Sequence, residues 1–483
     1  MIENFTIPLY EVQRRLSMEN PWWCAGKGID DEEAAWPRRA YFPKFVDMAF
    51  KLPASRALVL AGPRRVGKTV MLKHLIDRLL QTEGRVGTQI FFLSLVTPLY
   101  SGRSLEGLVQ LFLDQNLHPV SQPLWVLLDD VQYIKGWEDE LKTLVDSYPH
   151  IRFVVCSSVN TGPGRKKNES EPVHLIEFIL PPLTFFEYLQ FAGREGALIV
   201  DGADRDSRAS TFQLPDIQGL NAEFVNYLNY GGFPETAMNP QGRANPARLL
   251  RQNVIRDVLL SDQPSLFGIG DTKELNRFFN VLAFNSGNEV GLEELSKHCG
   301  IAKSRLSAYL EYLEAAFLIR RVLRVDDKGL RLLRERTFKV VLINPSMRAA
   351  LFGPLTANDD AMTKLAEAAI WSQWMHNPQV SRSLHCASWK EGRQNLDVSI
   401  VSLDFRTHKP RFTVAINWHD KIPTTLSELR GLHALASKNA LSRTPLVTTR
   451  TFTGNITLDG FEIEFMPLAL HCFTIGRKLL RGS

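Results

Sequence analysis

Between residues 55 and 180 the chain alternates short unbroken apolar runs with longer stretches whose apolar residues return every three or four positions. The first run, "RALVLAG", is closed by a glycine and has no polar interruption after its arginine, the pattern of a strand buried on both faces. In "TVMLKHLIDRLLQT" the residues Val70, Leu72, Leu75, Ile76, Leu79 and Leu80 fall near helical spacing, with charges between them. The strand pattern returns in "GTQIFFLSL", "QPLWVLLDD" and "IRFVVCSS". Strands alternating with helices predict a parallel α/β sheet that takes its ligands at the strand C-termini.

The pattern then changes. Over 193–216, "GREGALIVDGADRDSRASTFQLPD" mixes charge, serine and glycine, which predicts a loop-like surface insertion leading into a helical lid. Two lid helices are expected, one in "AEFVNYLNYGGFPETAM" ended by Gly231-Gly232 and one starting near Pro246. Over 288–325 two short helices meet at Cys299-Gly300-Ile301, Leu306, Leu310 and Leu313 point inward, and "FLIRRVLRV" follows as a strand. That order predicts a winged helix-turn-helix whose second helix presents Lys303, Ser304, Arg305 and Tyr309 outward. Those types suit phosphates or base edges, while Glu311 and Glu314 on the same helix would repel DNA. The remaining pattern predicts a strand and helix in "LINPSMRAAL", a helix carrying Glu367, a strand with Asp397 near its start, and the strand "RFTVAINW". The expected divisions are 1–50, a lead segment; 51–190, the α/β core; 191–275, insertion and lid; 276–340, the winged module; and 341–483, a C-terminal α/β domain.

Candidate chemistry sits where the first strand meets its helix. Gly62, Pro63, Arg64, Arg65, Val66, Gly67, Lys68 and Thr69, followed by Val70, fit G-x-x-x-x-G-K-[ST] without a mismatch. Glycines let the turn aim successive N–H groups at phosphate oxygens, and the helix N-terminus adds its dipole. Lys68 then reaches the outer phosphates and the Thr69 hydroxyl ligates Mg²⁺. A chance match in a chain of this length has a probability of roughly one or two per cent at average glycine usage, less with the strand and helix required. About 60 residues on, an apolar run ends in Asp129 and Asp130. Asp129 is the expected second Mg²⁺ holder, and Asp130 sits where a general base orients the attacking water. Ser157 and Ser158 end the next strand, either sensing the terminal phosphate or capping the strand.

The segments "PRRAYFPKF", "LAGPRRVGKTVMLKHLI", "PLYSGRSLEGLV", "LLDDVQYIKGWEDELKTLVD", "LPPLTFFEYL" and "YGGFPE" together resemble a family of prokaryotic AAA-like ATPases. Its members carry a C-terminal domain similar to the restriction-endonuclease fold. The resemblance is strongest over 38–235 and implies ATP binding. It also implies a lid that packs on the nucleotide domain, with Asp257 matching a recurring acid. The chain departs from the family pattern in two places. Asp130 replaces the usual glutamate, and Val173-His174 replaces a Gly-Arg pair, which removes the obvious arginine finger and leaves Arg165 as a substitute. A nuclease of the C-terminal fold needs an acid on a helix, an aspartate, then Glu-x-Lys on the next strand. Glu367 and Asp397 fit, but Ala415-Ile416-Asn417 stands in the third place, so a fold retained for binding without cleavage is expected.

Composition adds limits. Five scattered cysteines without CxxC spacing argue for a reducing compartment and against disulfides or a zinc site. The histidines have no paired spacing for a metal. No apolar run approaches a membrane span and the start lacks a signal-peptide core, so a cytoplasmic protein is expected. A net charge of +5 permits nucleic acid as a partner without demanding it. Basic residues gather at Arg305, Arg320, Arg321, Arg324 and 328–339, which predicts a positive stripe able to hold duplex DNA. Trp22, Trp23, Trp36 and Phe42 are candidates to cover an adenine, with core packing as the bland role for each. The expected activity is ATP hydrolysis with Mg²⁺, coupled to C-terminal domains that bind double-stranded DNA or a partner protein. A homo-oligomer and a slow nucleotide-gated switch stand as alternatives, with no membrane partner.

Overall fold

The four apolar runs become β1 (Ala57–Ala61), β2 (Ile90–Ser94), β3 (Leu124–Asp129) and β4 (Ile151–Ser157), and β5 (Leu175–Ile179), which the pattern does not mark, adds a fifth parallel strand. Their order is β2-β3-β4-β1-β5, and every neighbouring pair runs parallel. β4 therefore lies between β1, which leads into the glycine-rich turn, and β3, which ends in Asp129. The computed structural model describes residues 7–100, 102–160, 174–202, 212–238, 245–260, 267–330, 337–375 and 377–481. They divide into two units, Met1–Leu180 and Pro181–Ser483.

In the first unit the sheet is flanked by α1 (Leu9–Glu19), α2 (Asp31–Ala35), α3 (Phe42–Lys51), α4 (Lys68–Gln81), α5 (Leu105–Gln115) and α6 (Trp137–Ser147). β1, β3 and nearly all of β2 and β4 are buried, so their runs could dispense with polar alternation. The lead segment closes the sheet edge at β2. Asn20 acts as a surrogate strand, its Nδ2 donating to Phe92 O at 2.8 Å while Phe92 N donates to its Oδ1 at 2.7 Å. The indoles of Trp22 and Trp23 both donate to Ile90 O, at 3.1 and 3.0 Å. An open edge is a template for aggregation, and these contacts remove it. Trp22 and Trp23 are thus edge and core residues rather than adenine covers. Phe42 likewise packs edge-on against His74 of α4, with ring centroids 5.9 Å apart.

The second unit holds a three-stranded and a seven-stranded sheet. β8 (Glu289–Gly291), β11 (Thr337–Leu342) and β9 (Ile319–Val322) form the first in the order β8-β11-β9, all antiparallel. Helices Thr272–Phe284, Leu292–Cys299 and Lys303–Ala315 accompany it. Leu306, Leu310 and Leu313 are buried as the spacing predicts, but Tyr309 is buried too, its hydroxyl donating to Glu274 at 2.6 Å. The predicted strand "FLIRRVLRV" divides. β9 joins the small sheet, while β10 (Arg324–Val325) pairs parallel with β12 (Leu384–Glu391) in the large one. The large sheet runs β10-β12-β13-β14-β15-β17-β16, with β13 (Gln394–Leu403), β14 (Pro410–Ala415), β15 (Leu446–Thr449), β16 (Gly454–Leu458) and β17 (Phe461–Pro467). β12, β13 and β14 form an antiparallel meander, the Arg430–Lys438 helix follows, and β15 then lies parallel to β14.

The segment expected to be a loop over 193–216 contains more order than its composition suggested. A short helix, Glu195–Leu198, precedes a hairpin of β6 (Val200–Asp201) and β7 (Phe212–Gln213). Its anchor lies far away in sequence: Arg477 donates to both carboxylate oxygens of Asp201 and lies 5.2 Å over the Phe212 ring. The helix expected near Pro246 runs as Pro246–Leu249, a π-helical stretch Leu250–Arg256 and Asp257–Leu260. Arg251 donates to the carbonyls of Ala350 and Leu351 at the end of the Ser346–Phe352 helix. The Ile217–Tyr230 helix shares its packing with C-terminal residues: Phe224 lies 5.6 Å from Trp418, and Tyr227 accepts from Gln373. Among the described residues no helix is long and apolar enough to cross a membrane.

Candidate phosphate-binding site

The turn after β1 is built around positions that require glycine. A Cβ on Gly62 would lie 2.2 Å from the carbonyl oxygen of Leu180, whose own N–H donates to Ala61 O at 2.8 Å. Gly67 caps α4 at φ 94°, in the left-handed region, and Arg65 shares that region at φ 63°. Val66 is fully buried, so its side chain anchors the loop while its carbonyl accepts from Arg39 Nη1 at 2.6 Å. Arg64 reaches sideways to the Tyr133 hydroxyl. Pro63 and Val70 flank the turn, the first buried and the second half-buried.

Lys68 is 6% exposed and donates to Gly62 O at 3.0 Å and Pro63 O at 2.9 Å. Its ammonium thus sits inside the curve of the loop, where a phosphate would compete for it. Thr69, in the first turn of α4, has its hydroxyl donating to Asp129 Oδ2 at 2.8 Å. Two oxygen ligands from separate elements therefore meet at one point. Such hard donors suit Mg²⁺, which keeps several waters and takes one or two protein oxygens. Asp129 is 3% exposed, and its other oxygen accepts from the buried Cys156 thiol. Burial first, and then the neighbouring Asp130 carboxylate, push the Asp129 carboxyl up to about 6. Burial and the Asp129 charge push the Cys156 thiol up, so it stays a neutral donor.

That value sets a pH dependence. Asp129 ligates a cation only when ionised, and protons win below its raised value. Mg²⁺-dependent nucleotide affinity is expected to fall about tenfold per unit on acidification below pH 6, while affinity in EDTA stays flatter. Calorimetric titrations between pH 5 and 7.5, with and without chelator, check this; parallel curves would refute it.

Asp130 follows in the left-handed region at φ 56° and ψ 49°. Its Oδ1 accepts from Gln132 Nε2 at 2.7 Å. Ser157 does not face outward as a phosphate sensor: its hydroxyl donates to Val159 O at 2.8 Å and accepts from Val159 N. It caps β4. Ser158 instead meets Gln132, by its hydroxyl at 2.8 Å and its N–H at 3.2 Å. Motif spacing brings Lys68, Thr69, Asp129 and Asp130 to one end of the sheet. Arg39, Cys156, Gln132 and Tyr133 belong to the same constellation and have no spacing rule that marks them.

The second unit treats its candidates differently. Glu367 lies on the Met362–Gln373 helix and accepts from Lys339 Nζ of β11 at 2.8 Å. Asp397 is exposed on β13 opposite Ser388. Ala415 ends β14, Ile416 N donates to Ser399 Oγ, and Asn417 exchanges hydrogen bonds with Thr448. Among the described residues, most members of the expected positive stripe hold internal partners. Arg305 pairs with Glu274 at 2.9 Å, Arg321 with Glu314 at 2.5 Å and Arg324 with Glu289 at 2.8 Å. Lys303 lies 3.7 Å from Glu293. Arg320 stacks 5.2 Å over Trp371 and donates to Ser381 O. Alternate strand residues face opposite ways, so Arg320 and Arg321 cannot share a face. Residues 331–336 of the basic run, Arg165 and Val173 lie outside the described residues.

Comparison with known proteins matches residues 54–189 to the family model described as an AAA domain. Residues 221–358 match one described as a domain of unknown function (DUF8612). An uncharacterized protein of Haemophilus influenzae is 23% identical over 305 residues, 62% of this chain and 70% of its own. Among solved structures, the Aeropyrum pernix ORC1 protein in complex with DNA is 15% identical, covering 67% of this chain and 94% of its own at a TM-score of 0.31. C. elegans PCH-2 is also 15% identical, covering 57% of this chain and 66% of its own at a TM-score of 0.23. The family match, the parallel five-stranded sheet and the turn between β1 and α4 identify an AAA-like P-loop ATPase domain.

Proposed function

We propose that the protein hydrolyses ATP with Mg²⁺ and couples nucleotide state to the second unit, which docks a partner protein. The observation that carries the reading is the meeting of Thr69 and Asp129 at 2.8 Å beside a lysine held in the P-loop. Gly62–Val70 would surround the phosphates, with Lys68 on the β- and γ-phosphates and Thr69 and Asp129 on the metal. Held by Thr69 and Asp129, the metal would neutralise charge on the phosphates. Asp130 would orient the attacking water. Its side chain, one methylene shorter than glutamate, favours a second reading, a switch that binds ATP and turns over slowly.

For the second unit we read 272–342 as a winged helix, on its order of helix, strand, two helices and two strands. We read 362–449 as a restriction-endonuclease-like core, on its helix, antiparallel meander, helix and parallel strand. Metal-dependent cleavage is not part of the proposal, because Lys339 occupies Glu367 and Ala415-Ile416-Asn417 supplies no carboxylate. Protein docking is preferred over duplex DNA because Lys303 and Arg305 already face carboxylates. A cytoplasmic setting is supported by the scattered cysteines and the lack of an apolar span, and a role in a mobile element or anti-phage defence, with a homo-oligomer, by analogy at the level of the fold.

Phosphate release under saturating MgATP tests the activity. Turnover that disappears in Asp129→Asn supports the enzyme. Tight MgATP binding without release over hours leaves the switch, and no binding of MgATP removes both.

A further inference from the structure

Gln132 is 4% exposed, and its whole carboxamide is engaged. One N–H of Nε2 goes to Asp130 Oδ1 at 2.7 Å, the other to Ser158 Oγ at 2.8 Å, and Oε1 accepts from Ser158 N at 3.2 Å. A primary amide nitrogen has two hydrogens, and both are used. The amide cannot rotate without breaking all three contacts. It is fixed by the main chain at the end of β4, the strand between the P-loop strand and the acidic strand.

Asp130 needs such a constraint. Its backbone occupies the left-handed region, uncommon for a residue with a Cβ, and persists where surrounding contacts determine it. Gln132 lies in the 3-10 turn Val131–Tyr133 immediately after it, so one turn carries both the acid and its brace. The brace leaves the second oxygen of Asp130 to take a proton.

We infer that Gln132 is a positioning residue for Asp130, holding its carboxylate against Ser158 so that one oxygen orients the attacking water. The inference rests on the ATPase reading. In that reaction the water oxygen bonds to the γ-phosphorus and the bond from phosphorus to the β–γ bridging oxygen breaks. Its electron pair leaves on ADP, and the water proton passes to Asp130. With both amide hydrogens given to Asp130 and Ser158, Gln132 acts through the acid.

The test compares Gln132→Ala, Gln132→Glu and Ser158→Ala in the full chain. The readouts are kcat, KM, thermal stability, and affinity for MgADP with and without aluminium fluoride, a mimic of the transferred phosphoryl group. A positioned base contributes about 10²–10⁴-fold, and losing its orientation forfeits part of that. Gln132→Ala is expected to lower kcat about tenfold and the aluminium fluoride preference in proportion, with KM and MgADP affinity within about twofold. Ser158→Ala should shift the same quantities less. Gln132→Glu, which sets an acceptor against the carboxylate, should be at least as severe as alanine. Unchanged or raised kcat in Gln132→Ala overturns the inference, as does a matched loss of kcat, MgADP affinity and thermal stability. A wild-type protein that binds MgATP but shows no aluminium fluoride preference overturns it too, leaving the nucleotide site intact. Absence of MgATP binding in the wild type would instead sink the ATPase reading.

Discussion

Lys68→Ala is expected to weaken MgATP binding at least about a hundredfold while the parallel sheet stays folded. Each hydrogen bond to a charged group contributes about 1.5–3 kcal/mol, and the lysine would make at least two to phosphate oxygens. Two such bonds amount to about 3–6 kcal/mol, and each 1.4 kcal/mol is a factor of ten in affinity. The substitution also costs the nucleotide-free protein two contacts, to Gly62 O and Pro63 O. The loop keeps its other supports: Arg39 on the Val66 carbonyl, the buried Val66 side chain and the glycine cap of α4. A modest fall in melting temperature should therefore accompany a large loss of affinity. Calorimetry with MgATP, beside a thermal melt, separates the two. Affinity within threefold of wild type would refute the role of Lys68, and loss of the fold would make the lysine structural.

The legible part of this molecule is the part governed by local rules. β1, β3 and β4 were readable because strands buried on both faces need unbroken apolar runs. Lys68, Thr69, Asp129 and Asp130 were readable because a turn that cradles phosphate fixes which residue types follow a strand and at what spacing. Gln132 lies only two positions from Asp130, yet its task depends on Ser158 at the end of another strand. Cys156 reaches Asp129 only because β4 lies beside β3, a neighbour relation that the order of strands in sequence does not state. The β6–β7 hairpin was missed for the same reason, since Arg477 holds Asp201 from 276 positions away. Ser157 and the basic residues show the converse error. Sequence revealed polar and charged types, while partners such as Val159 O, Glu274 and Glu314 came from the fold.

Lys339→Ala is expected to destabilise the second unit by about 3–5 kcal/mol, the usual cost of leaving one buried charge without its partner. Lys339 and Glu367 are 14% and 9% exposed at their side chains and lie 2.8 Å apart. The pair joins β11 of the small sheet to the Met362–Gln373 helix, whose Trp371 indole also approaches Glu367 at 3.5 Å. Burial pushes the Lys339 ammonium down, but Glu367 outweighs it and the balance lies above the usual lysine value. A lysine raised on folding adds stability that is complete below the unfolded value, about 10.4. That stability is lost as pH rises through the higher folded value, so the pair is fully present at neutral pH. Pairing Lys339→Met with Glu367→Leu removes both charges and should recover most of the loss, because apolar replacement of a buried pair is often neutral. Thermal melts of the two variants, with hydrogen exchange along the Met362–Gln373 helix, measure the difference. Equal losses in the single and double variants would show that packing rather than charge sets the cost. Lys339 engages Glu367 Oε1. Glu367 thereby serves the junction between β11 and the Met362–Gln373 helix.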